Sequence, residues 1–398
     1  MDTMVCATVE REMPVIDVDL LPLSEVPHLD RLWTDLEARA DGSFFLSWLW
    51  VSCWLEHLPS GSRPFVLVAR SGERVVGLAI LCRATVWRYG LLRKRCWLLH
   101  ETGDRVFDRL TVEYNGILAD EGCREVVWTV FLDWLARNVG DWDEMVLSGI
   151  SPDFETAVRS RAVSGGHLVH VRRAETAKGV DLARVRRDGG EYRAGLGRNT
   201  RSAVRRAERL YDERGGIAFE IATTADEALG YFEDMEALHQ AAWKARGKYG
   251  AFDNPVFRPF HRRLIERATS SGQVRLCRIT AGGRPIGYLY NFVSGNRVLN
   301  YQSGFAYESD NRLKPGLLSH VLAVEDALAR GEAYYDFLAG SSGHKQHLSN
   351  DRQRLNWISV EPDGMLGRVD AALGALRGRL TALRRSASAT LSDVKARR

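Results

Sequence analysis

Residues that could bind a phosphorylated ligand are concentrated in one stretch of the chain, between Val274 and Lys345. Arg312 and Lys314 come just before Pro315-Gly316, where an apolar helical run begins. Proline is favoured in the first turn of a helix, glycine lets a ligand approach the backbone, and the free N–H groups of a helix start attract anions. An ordinary helix start is the alternative. The pattern predicts a phosphate-binding turn formed by Arg312, Lys314, Gly316, Leu317, Leu318 and Ser319.

A second basic feature follows Gly195-Leu-Gly-Arg-Asn199. In the helix expected there, four arginines recur at helical spacing and form one stripe along one face: Arg198, Arg201, Arg205 and Arg209. The stripe is either a solvated face or an electropositive strip for the phosphates of a carrier arm, a coenzyme or an RNA acceptor end. No aromatic residues interleave with it, which disfavours nucleic acid as a partner.

Several common catalytic motifs are absent from the sequence. It contains no HExxH, no GxxxxGK[ST], no GxGxxG after an expected strand and no EF-hand loop. Gly340-Ser-Ser-Gly343 misses the GxSxG spacing of a serine nucleophile, and the six cysteines show neither CxxC nor metal-ligand spacing. We therefore predict neither a serine hydrolase nor a metal site.

Length and composition indicate two domains in a reducing compartment. A chain of 398 residues exceeds one typical domain, and the 11 tryptophans are strongly biased towards the first half. The net charge of +4 allows acidic or phosphorylated partners. We find no secretory signal and no apolar run of about 18 residues, so a cytoplasmic location is expected.

The first half predicts the order helix, helix, β-meander, helix, strand, helix, after an edge strand near Val15–Val18. Its second helix is expected over Ser43–Leu58 with Ser43 as the N-cap. The aromatic side chains of that helix are either core or the wall of an acyl or substrate channel. A further strand is expected at Leu110–Leu118.

The second half repeats this plan as strand, helix, helix, three strands, helix, strand. Its meander is predicted over Val274–Thr280, Ile286–Ser294 and Arg297–Phe305, joined by short glycine-bearing turns. The repeated order indicates an internal duplication. We expect an α+β protein with an N-terminal domain at 1–170, a crossover at 171–194, a second domain at 195–362 and a tail at 363–398.

The tail differs in character from the rest of the chain. Leucine and valine recur 3 and 4 residues apart, and eight basic residues stand against three acidic ones. A basic amphipathic helix can lie on an anionic membrane, here the inner face, or dock a partner. Packing on the body of the protein and fraying are the alternatives.

Five short motifs between residues 195 and 350 carry a family resemblance. They are Asn199-Thr-Arg-Ser-Ala-Val-Arg-Arg-Ala207, His239-Gln-Ala-Ala-Trp243, Tyr301-Gln-Ser-Gly-Phe305, Leu313-Lys-Pro-Gly316, and Tyr335-Asp-Phe337 with Gly343-His-Lys345. With these motifs in this order, the chain resembles the GNAT acyltransferase superfamily, and within it the branch of CelD-type and FemAB-like proteins.

The resemblance implies two tandem GNAT-like domains, each a mixed, mostly antiparallel sheet flanked by helices. It also implies acyl transfer to an amine in the second domain and a degenerate first domain. The usual pyrophosphate-binding loop of the superfamily has the pattern Arg/Gln-x-x-Gly-x-Gly/Ala. The corresponding segment of this chain, Lys314–Ser319, contains only one glycine. The donor therefore stays open between acyl-CoA, an acyl-carrier-protein thioester and aminoacyl-tRNA. The coiled-coil arm common in FemAB-like proteins is missing, and aminoacyl-tRNA is therefore a less favoured donor than a thioester.

Acyl transfer to an amine needs a base for the ammonium proton and an acid for the departing thiolate. His344 and His239 are the candidate bases, Tyr301 is the candidate acid, and Asp336 could orient a histidine or hold the amine. Backbone N–H groups of the third meander strand could polarise the thioester carbonyl. Each of these side chains has a purely structural role as its alternative. The candidate substrate contacts are the neighbouring motif residues Trp243, Gln302 and Lys345.

We therefore expect an N-acyltransferase that moves an acyl group from a CoA or carrier-protein thioester to an amine of an amino-sugar, an amino acid or a peptide side chain. One alternative is a FemAB-like aminoacyl-tRNA-dependent peptide ligase, favoured by the arginine stripe. The other is a non-catalytic scaffold in envelope or exopolysaccharide assembly, favoured by the basic tail. No metal cofactor is expected, and the sequence does not determine the oligomeric state.

Overall fold

A computed structural model describes residues 15–138, 142–340 and 343–365, and beyond them residues 367–370, 372–374 and 376. Most of the predicted tail lies outside these residues. The ten helices described are α1 Leu29–Glu37, α2 Trp48–Glu56, α3 Arg124–Asn138, α4 Pro152–Ser164, α5 Leu182–Arg187, α6 Arg198–Asp212, α7 Ala225–Ala245, α8 Phe257–Ala268, α9 Pro315–Ala329 and α10 Gly343–Leu348.

The described residues form thirteen strands in one sheet. They are β1 Asp17–Pro22, β2 Pro64–Ser71, β3 Arg74–Arg88, β4 Leu92–Leu99, β5 Leu118–Ala119, β6 Glu144–Ile150, β7 His167–Asp181, β8 Ile217–Ile221, β9 Val274–Ala281, β10 Arg284–Ser294, β11 Arg297–Phe305, β12 Tyr334–Ala339 and β13 Asp351–Pro362. The order across the sheet is β1-β2-β3-β4-β6-β13-β7-β12-β11-β10-β9-β8, with β5 paired to β3.

The sheet consists of two similar units that exchange their last strands. In the N-terminal unit the chain runs β1, α1, α2, β2, β3, β4, α3, β6, α4, β7, and in the C-terminal unit it runs β8, α7, α8, β9, β10, β11, α9, β12, α10, β13. Strand β7 of the first unit pairs with β12 of the second, whereas β13 pairs with β6 of the first. The α+β class and the tandem arrangement are confirmed.

The exchanged strands affect the expected domain boundaries. Strand β7 is one continuous strand that pairs with β13 along its length and then with β12. The boundary at residue 170 and the crossover at 171–194 therefore divide a strand that belongs to the central sheet. The division at 1–170, 171–194, 195–362 and 363–398 stays a prediction about folding units.

Two expected elements are wrong in detail. The helix predicted over Ser43–Leu58 begins only at Trp48, because the Ser47 hydroxyl accepts the Trp50 N–H at 3.2 Å, so Ser47 is the N-cap. The strand predicted over Leu110–Leu118 is reduced to β5, since the preceding residues pack across the N-terminal unit instead of pairing along a strand.

One hydrophobic core is shared by the two units, and two further cores lie one in each half of the sheet, each including side chains of an exchanged strand. The shared core contains side chains of α1 and α2 together with those of α7 and α8. Phe44 stacks on Phe292 with ring centroids 4.2 Å apart, and the Trp50 ring lies 4.8 Å from Phe260. The aromatic residues near α2 are therefore core residues that join the units, as the first of the two interpretations expected.

A buried ionic cluster connects the central strands to the start of the tail. The Lys94 ammonium donates to Glu361 at 2.6 Å and also to Asp370, while Arg172 donates to both carboxylates. Glu144 lies close to the same two carboxylates, a grouping that could suit a metal ion. Because Lys94 and Arg172 already neutralise these oxygens, the cluster is better described as an ion-pair network that fixes residues 367–370 on the sheet.

The described helices include none with the length and apolar character needed to cross a membrane.

Candidate functional site

Strands β11 and β12 separate part-way along their length and leave a gap in the sheet. Their parallel pairing covers Arg297 with Tyr334, Val298 with Tyr335 and Leu299 with Asp336, and then ends. On the β10 side, Asn300 and Gln302 are both paired while Tyr301 has no partner, so Tyr301 is the extra residue of a β-bulge. A bulge bends its strand, which turns β11 away from β12. We call the space beyond Leu299 and Asp336 the C-terminal gap.

The corresponding gap of the N-terminal unit is filled by its own chain. Strands β4 and β6 also pair in parallel over three residues and then separate. The Asn115 side chain donates to Leu99 O at 3.0 Å, and its N–H donates to Gly149 O at 3.1 Å, so Asn115 bridges the two strands. Gly149 has φ +63°, and a Cβ there would lie 2.6 Å from Val112 O. The chain around Asn115 thus occupies this gap at close packing distance.

Asp336 is the centre of a polar cluster at the C-terminal gap. Its side chain is fully buried, and its carboxylate accepts hydrogen bonds from the Tyr114 hydroxyl at 2.6 Å and the Leu338 N–H at 2.7 Å. An Arg297 nitrogen lies 3.4 Å away. Burial raises the pKa of Asp336, and these three neighbours oppose that shift. A carboxylate held by donors from both units links the two halves of the site.

Glu113 is a functional candidate that the sequence did not reveal. It lies in the N-terminal unit, yet its carboxylate accepts the Ala339 N–H of β12 at 2.8 Å. Burial, with the nearby charge of Asp336, raises the pKa of Glu113 to about 7, against the opposing effects of the Ala339 N–H and Lys345. The only local signal was a polar run, Glu113-Tyr-Asn-Gly116, inside an apolar half. A carboxyl group with this pKa can take up and release a proton at neutral pH.

Lys345 approaches the same segment from α10. Its ammonium donates to Ala339 O at 2.9 Å and to Leu338 O at 3.3 Å. Burial lowers the pKa of Lys345, while the charges of Glu113 and Asp336 act in the opposite direction. Leu338 has φ +58°, an uncommon conformation for a branched residue, and the contacts of Asp336 and Lys345 hold it there.

Tyr301 lies at the bulge among aromatic rings of the shared core. Its ring centroid is 4.7 Å from Phe292 and 4.9 Å from His261. Burial, reinforced by the charge of Glu113, raises the pKa of Tyr301 well above its ordinary value. The phenol is therefore protonated at neutral pH, as an acid must be before it donates. The structure thus brings Tyr301, Asp336 and Lys345 into the neighbourhood of Glu113.

His239 does not join this cluster. Its Nε2 accepts the Ala251 N–H at 3.3 Å, so the proton must be on Nδ1, which donates to Ser303 O at 3.1 Å. Burial also lowers the pKa of His239. With both ring nitrogens occupied, this imidazole supports the bulged strand β11. Trp243 packs 5.7 Å from the His239 ring, and the Gln302 side chain accepts the Ser303 N–H at 3.0 Å.

The other predicted base, His344, lies in α10, but its side chain is outside the described residues. Its candidacy therefore stays a prediction.

The predicted phosphate-binding turn forms the start of α9. The first helical bond joins the Leu318 N–H to Lys314 O, so the N–H groups of Gly316 and Leu317 have no helical acceptor. Gly316 packs against Phe305, whose ring would lie 3.1 Å from an added Cβ. Ser319 is buried, whereas Lys314 is exposed and Arg312 pairs with Asp310 at 2.8 Å. Gly316 itself is buried and Leu317 is partly buried, and Lys314 forms no ion pair with any described residue.

The arginine stripe of α6 is largely exposed. Arg198, Arg205 and Arg209 are exposed, and Arg201 donates to Ala194 O at 2.9 Å. The buried side of the helix is formed by Val204, Ala207 and Tyr211 instead. This geometry is compatible with both interpretations of the stripe.

Comparison with known proteins identifies the C-terminal unit. Residues 198–346 match the family described as an acetyltransferase (GNAT) domain. The chain carries a GNAT domain. The match includes the arginine helix, the C-terminal gap and the start of α9, and it establishes a GNAT-type acyltransferase. The predicted membership of the superfamily is thereby confirmed.

Solved structures show the same fold over both units. The match to the crystal structure of FemX covers 82% of this chain and 95% of the FemX chain, at 10% sequence identity and a TM-score of 0.56. The match to the C-terminal domain of a putative lysylphosphatidylglycerol synthetase from Agrobacterium fabrum covers 86% of this chain and 93% of that domain's chain, at 11% sequence identity and a TM-score of 0.51. The match to L-PGS from Bacillus licheniformis covers 88% of this chain and 97% of the L-PGS chain, at 11% sequence identity and a TM-score of 0.50. No curated protein matches the sequence.

Proposed function

We propose that the protein transfers an acyl group from a CoA or carrier-protein thioester to an amine, and that the reaction takes place at the C-terminal gap. The observation that carries the proposal is the contrast between the two gaps. Asn115 bridges the strands of the N-terminal gap, whereas the strands of the C-terminal gap separate beside Glu113, Asp336 and Lys345.

The donor has two groups for which this chain offers partners. Its phosphates are assigned to the start of α9, where the N–H groups of Gly316 and Leu317 and the charge of Lys314 attract anions, and where Arg312 can exchange its partner Asp310 for a phosphate. Beyond Leu299, strand β11 has no β12 partner for its backbone. An N–H group of that segment can donate to the thioester carbonyl and stabilise the negative charge that develops on its oxygen.

The proposed chemistry is direct transfer without a covalent enzyme intermediate. The acceptor amine attacks the thioester carbonyl carbon, the C–N bond forms, and the C–S bond breaks. Glu113 takes the proton that the amine loses, and Tyr301 supplies a proton to the departing thiolate. Asp336 holds the acceptor as its ammonium ion, which releases a first proton to water and so becomes the amine that attacks. Lys345 fixes the backbone around Ala339. His344 remains an alternative base.

The proposal is tested by measuring thiol release from acyl-CoA and from acyl-carrier-protein donors in the presence of a panel of amines. We expect amine-dependent release with at least one donor class, and a higher donor KM for Arg312→Gln/Lys314→Gln with kcat little changed. A matched control is Arg63→Gln/Arg187→Gln, since both arginines are exposed away from the gap. Absence of thiol release and of binding for both donor classes would refute it.

Aminoacyl transfer from tRNA is a second candidate, favoured by the exposed arginines of α6. If aminoacyl-tRNA is the donor, ribonuclease abolishes product formation and no thioester is consumed. A purified reaction that resists ribonuclease excludes this candidate.

A further inference from the structure

The start of the tail is a helix that turns its polar and small residues towards the protein. The described residues from 365 to 376 are helical. Gly367 and Asp370 are buried, and Gly374 is partly buried against Tyr89. Because these three positions are 3 and 4 residues apart, they lie on one face of the helix. A helix on the surface of a globular protein normally buries its apolar face instead.

The opposite face of this helix is apolar and exposed. Its side chains recur 4, 3 and 4 residues apart and belong to Met365, Val369, Ala372 and Leu376. Met365 is 84% exposed, Val369 is 41% exposed and Leu376 is 55% exposed. Single exposed apolar side chains are ordinary, but a continuous exposed patch marks an interaction surface. We call these four residues the outer stripe.

The buried ionic cluster fixes the orientation of the helix. The Asp370 carboxylate accepts hydrogen bonds from the Lys94 ammonium and, at 2.6 Å, from Arg172. Turning the outer stripe towards the sheet would withdraw Asp370 and leave the buried Lys94 short of a carboxylate, which is strongly destabilising. Gly367 fits the same orientation, since an added Cβ would lie 3.1 Å from Pro362 O. The outer stripe therefore faces away from the protein.

The acidic groups around this helix are all paired. Three charged side chains stand in the helix and just before it, namely Asp363, Arg368 and Asp370. Asp363 pairs with Arg368 at 3.1 Å, and Asp370 belongs to the ionic cluster. The carboxylates near Lys94 are paired as well: Glu144 and Glu361 within the cluster, and Asp143 with Arg95 at 3.0 Å. Among the described residues, these groups leave no unpaired carboxylate beside the outer stripe.

The sequence after Leu376 adds positive charge to the same pattern. Residues 377–385 contain four arginines and no acidic residue, and Leu380 and Leu383 continue the spacing of 3 and 4. Apolar side chains followed by a group of arginines are typical of a segment that lies on an anionic lipid surface. Two copies of this chain would instead bring their arginines together, without an unpaired described carboxylate beside the stripe to offset the repulsion.

We propose that the outer stripe docks the protein on the surface of a bilayer that contains anionic lipids. Its apolar side chains enter the boundary between headgroups and acyl chains, and the arginines that follow it contact lipid phosphates. The ionic cluster at Asp370 holds the helix with this face outward. The docking surface lies outside the C-terminal gap and does not depend on the chemistry proposed there.

Co-sedimentation of the full chain with lipid vesicles tests this surface. We expect binding to vesicles of equal parts phosphatidylcholine and phosphatidylglycerol, weaker binding to phosphatidylcholine alone, and a decrease as salt is added. Met365→Gln/Leu376→Gln should weaken binding to the anionic vesicles at least about tenfold, because both side chains lose their apolar contact with lipid. The matched control Val15→Gln/Val163→Gln changes two other highly exposed apolar side chains and should bind like wild type. Both variants should unfold at the wild-type temperature, since the altered side chains are exposed.

Three results with vesicles would overturn the proposal: no binding of the wild-type chain to the anionic vesicles, equal binding to phosphatidylcholine alone, or wild-type binding by Met365→Gln/Leu376→Gln. Sedimentation equilibrium without lipid tests a second copy as the occupant. A dimer that the same variant dissociates, in a chain that does not bind vesicles, would also overturn it. None of these measurements uses acyl transfer, so failure of the proposed function and failure of the docking surface are distinguishable.

Discussion

At the scale of residues, the candidate site depends on two buried carboxylates that are held by opposite units. Asp336 of the C-terminal unit accepts a hydrogen bond from the Tyr114 hydroxyl, and Glu113 of the N-terminal unit accepts one from the Ala339 N–H. Hydrogen bonds of this kind stabilise the charged form of a carboxylate, whereas burial favours the neutral form. The balance leaves the pKa of Glu113 at about 7 and the pKa of Asp336 above its ordinary value.

Replacing Tyr114 by Phe tests the contact with Asp336. The variant leaves a buried carboxylate short of one donor, so we expect a loss of about 1–3 kcal/mol in the free energy of unfolding at neutral pH. Without the hydroxyl the pKa of Asp336 rises further, so the loss grows as the pH rises and the carboxyl ionises. Urea unfolding at several pH values measures it, with the exposed Tyr249→Phe as control. A loss that does not vary with pH would contradict the assigned contact.

The pKa of Glu113 also predicts how stability depends on pH. Because the folded state holds this proton more tightly than the unfolded chain, its contribution is full at acidic pH and is lost as the pH rises through about 7. Glu113→Gln removes this dependence, so the variant should gain stability relative to wild type as the pH rises from 5 to 8. Thermal unfolding across this range measures the difference. A constant difference across the range would contradict a raised pKa.

At the scale of elements, two pairs of parallel strands separate in the same way, and the N-terminal pair is bridged by Asn115. In the N-terminal unit, Asn115 joins β4 to β6 and the chain at Val112 lies against Gly149. In the C-terminal unit the bulge at Tyr301 directs β11 away from β12, and α9 begins shortly after β11 ends. The same supersecondary unit thus serves once as structure and once as a candidate site.

Gly149→Ala tests the closure of the N-terminal gap. An alanine there must adopt a left-handed conformation and also place its Cβ 2.6 Å from Val112 O. Gly166→Ala is the matched control, because its φ is +70° and nothing lies within 4 Å of the added Cβ. We expect the left-handed backbone conformation to lower the free energy of unfolding of both variants by about 1–2 kcal/mol. The contact with Val112 O should lower that of Gly149→Ala by at least ~1 kcal/mol more. Equal losses in chemical unfolding would mean that the segment can move away from β6.

At the scale of the whole molecule, the two units form one sheet because β7 and β13 are exchanged between them. The shared aromatic core and the buried cluster around Lys94 add further contacts between the halves. The site is built in the same way, since Glu113 and Tyr114 come from one unit and Asp336 and Ala339 from the other. The N-terminal unit is therefore required for the site even though its own gap is filled.

A single cooperative unfolding transition is the expected consequence. The fragment 195–362 lacks β7 and would leave edges of β12 and β13 unpaired, so we expect it not to fold alone. Scanning calorimetry of the full chain should give equal calorimetric and van't Hoff enthalpies, and circular dichroism of the fragment should show little structure. Two separate transitions, or a folded fragment, would support the domain boundaries expected from the sequence instead.

Local sequence patterns predicted the order of elements, the duplication and the GNAT domain, because each of these features depends on residues that are close together in the sequence. The same patterns led to Asp336, Tyr301 and Lys345, which lie within or beside one motif each. They could not lead to Glu113, because its partner Ala339 is 226 residues away and contact across that separation depends on the exchanged strands. Nor could spacing show that both nitrogens of His239 are bound by backbone groups.

The pH dependence of acyl transfer by Glu113→Gln tests most directly whether the two units share one active site. For the wild-type enzyme we expect kcat/KM to rise as the pH increases through about 7, because the ionised carboxylate is the base. Glu113→Gln keeps an acceptor for the Ala339 N–H, so it should fold normally but lose about 10²–10⁴-fold in kcat and no longer show the rise. Glu113→Asp should recover part of the activity, and the exposed Glu73→Gln should match wild type. Wild-type rates with an unchanged pH profile in Glu113→Gln would contradict a base from the N-terminal unit.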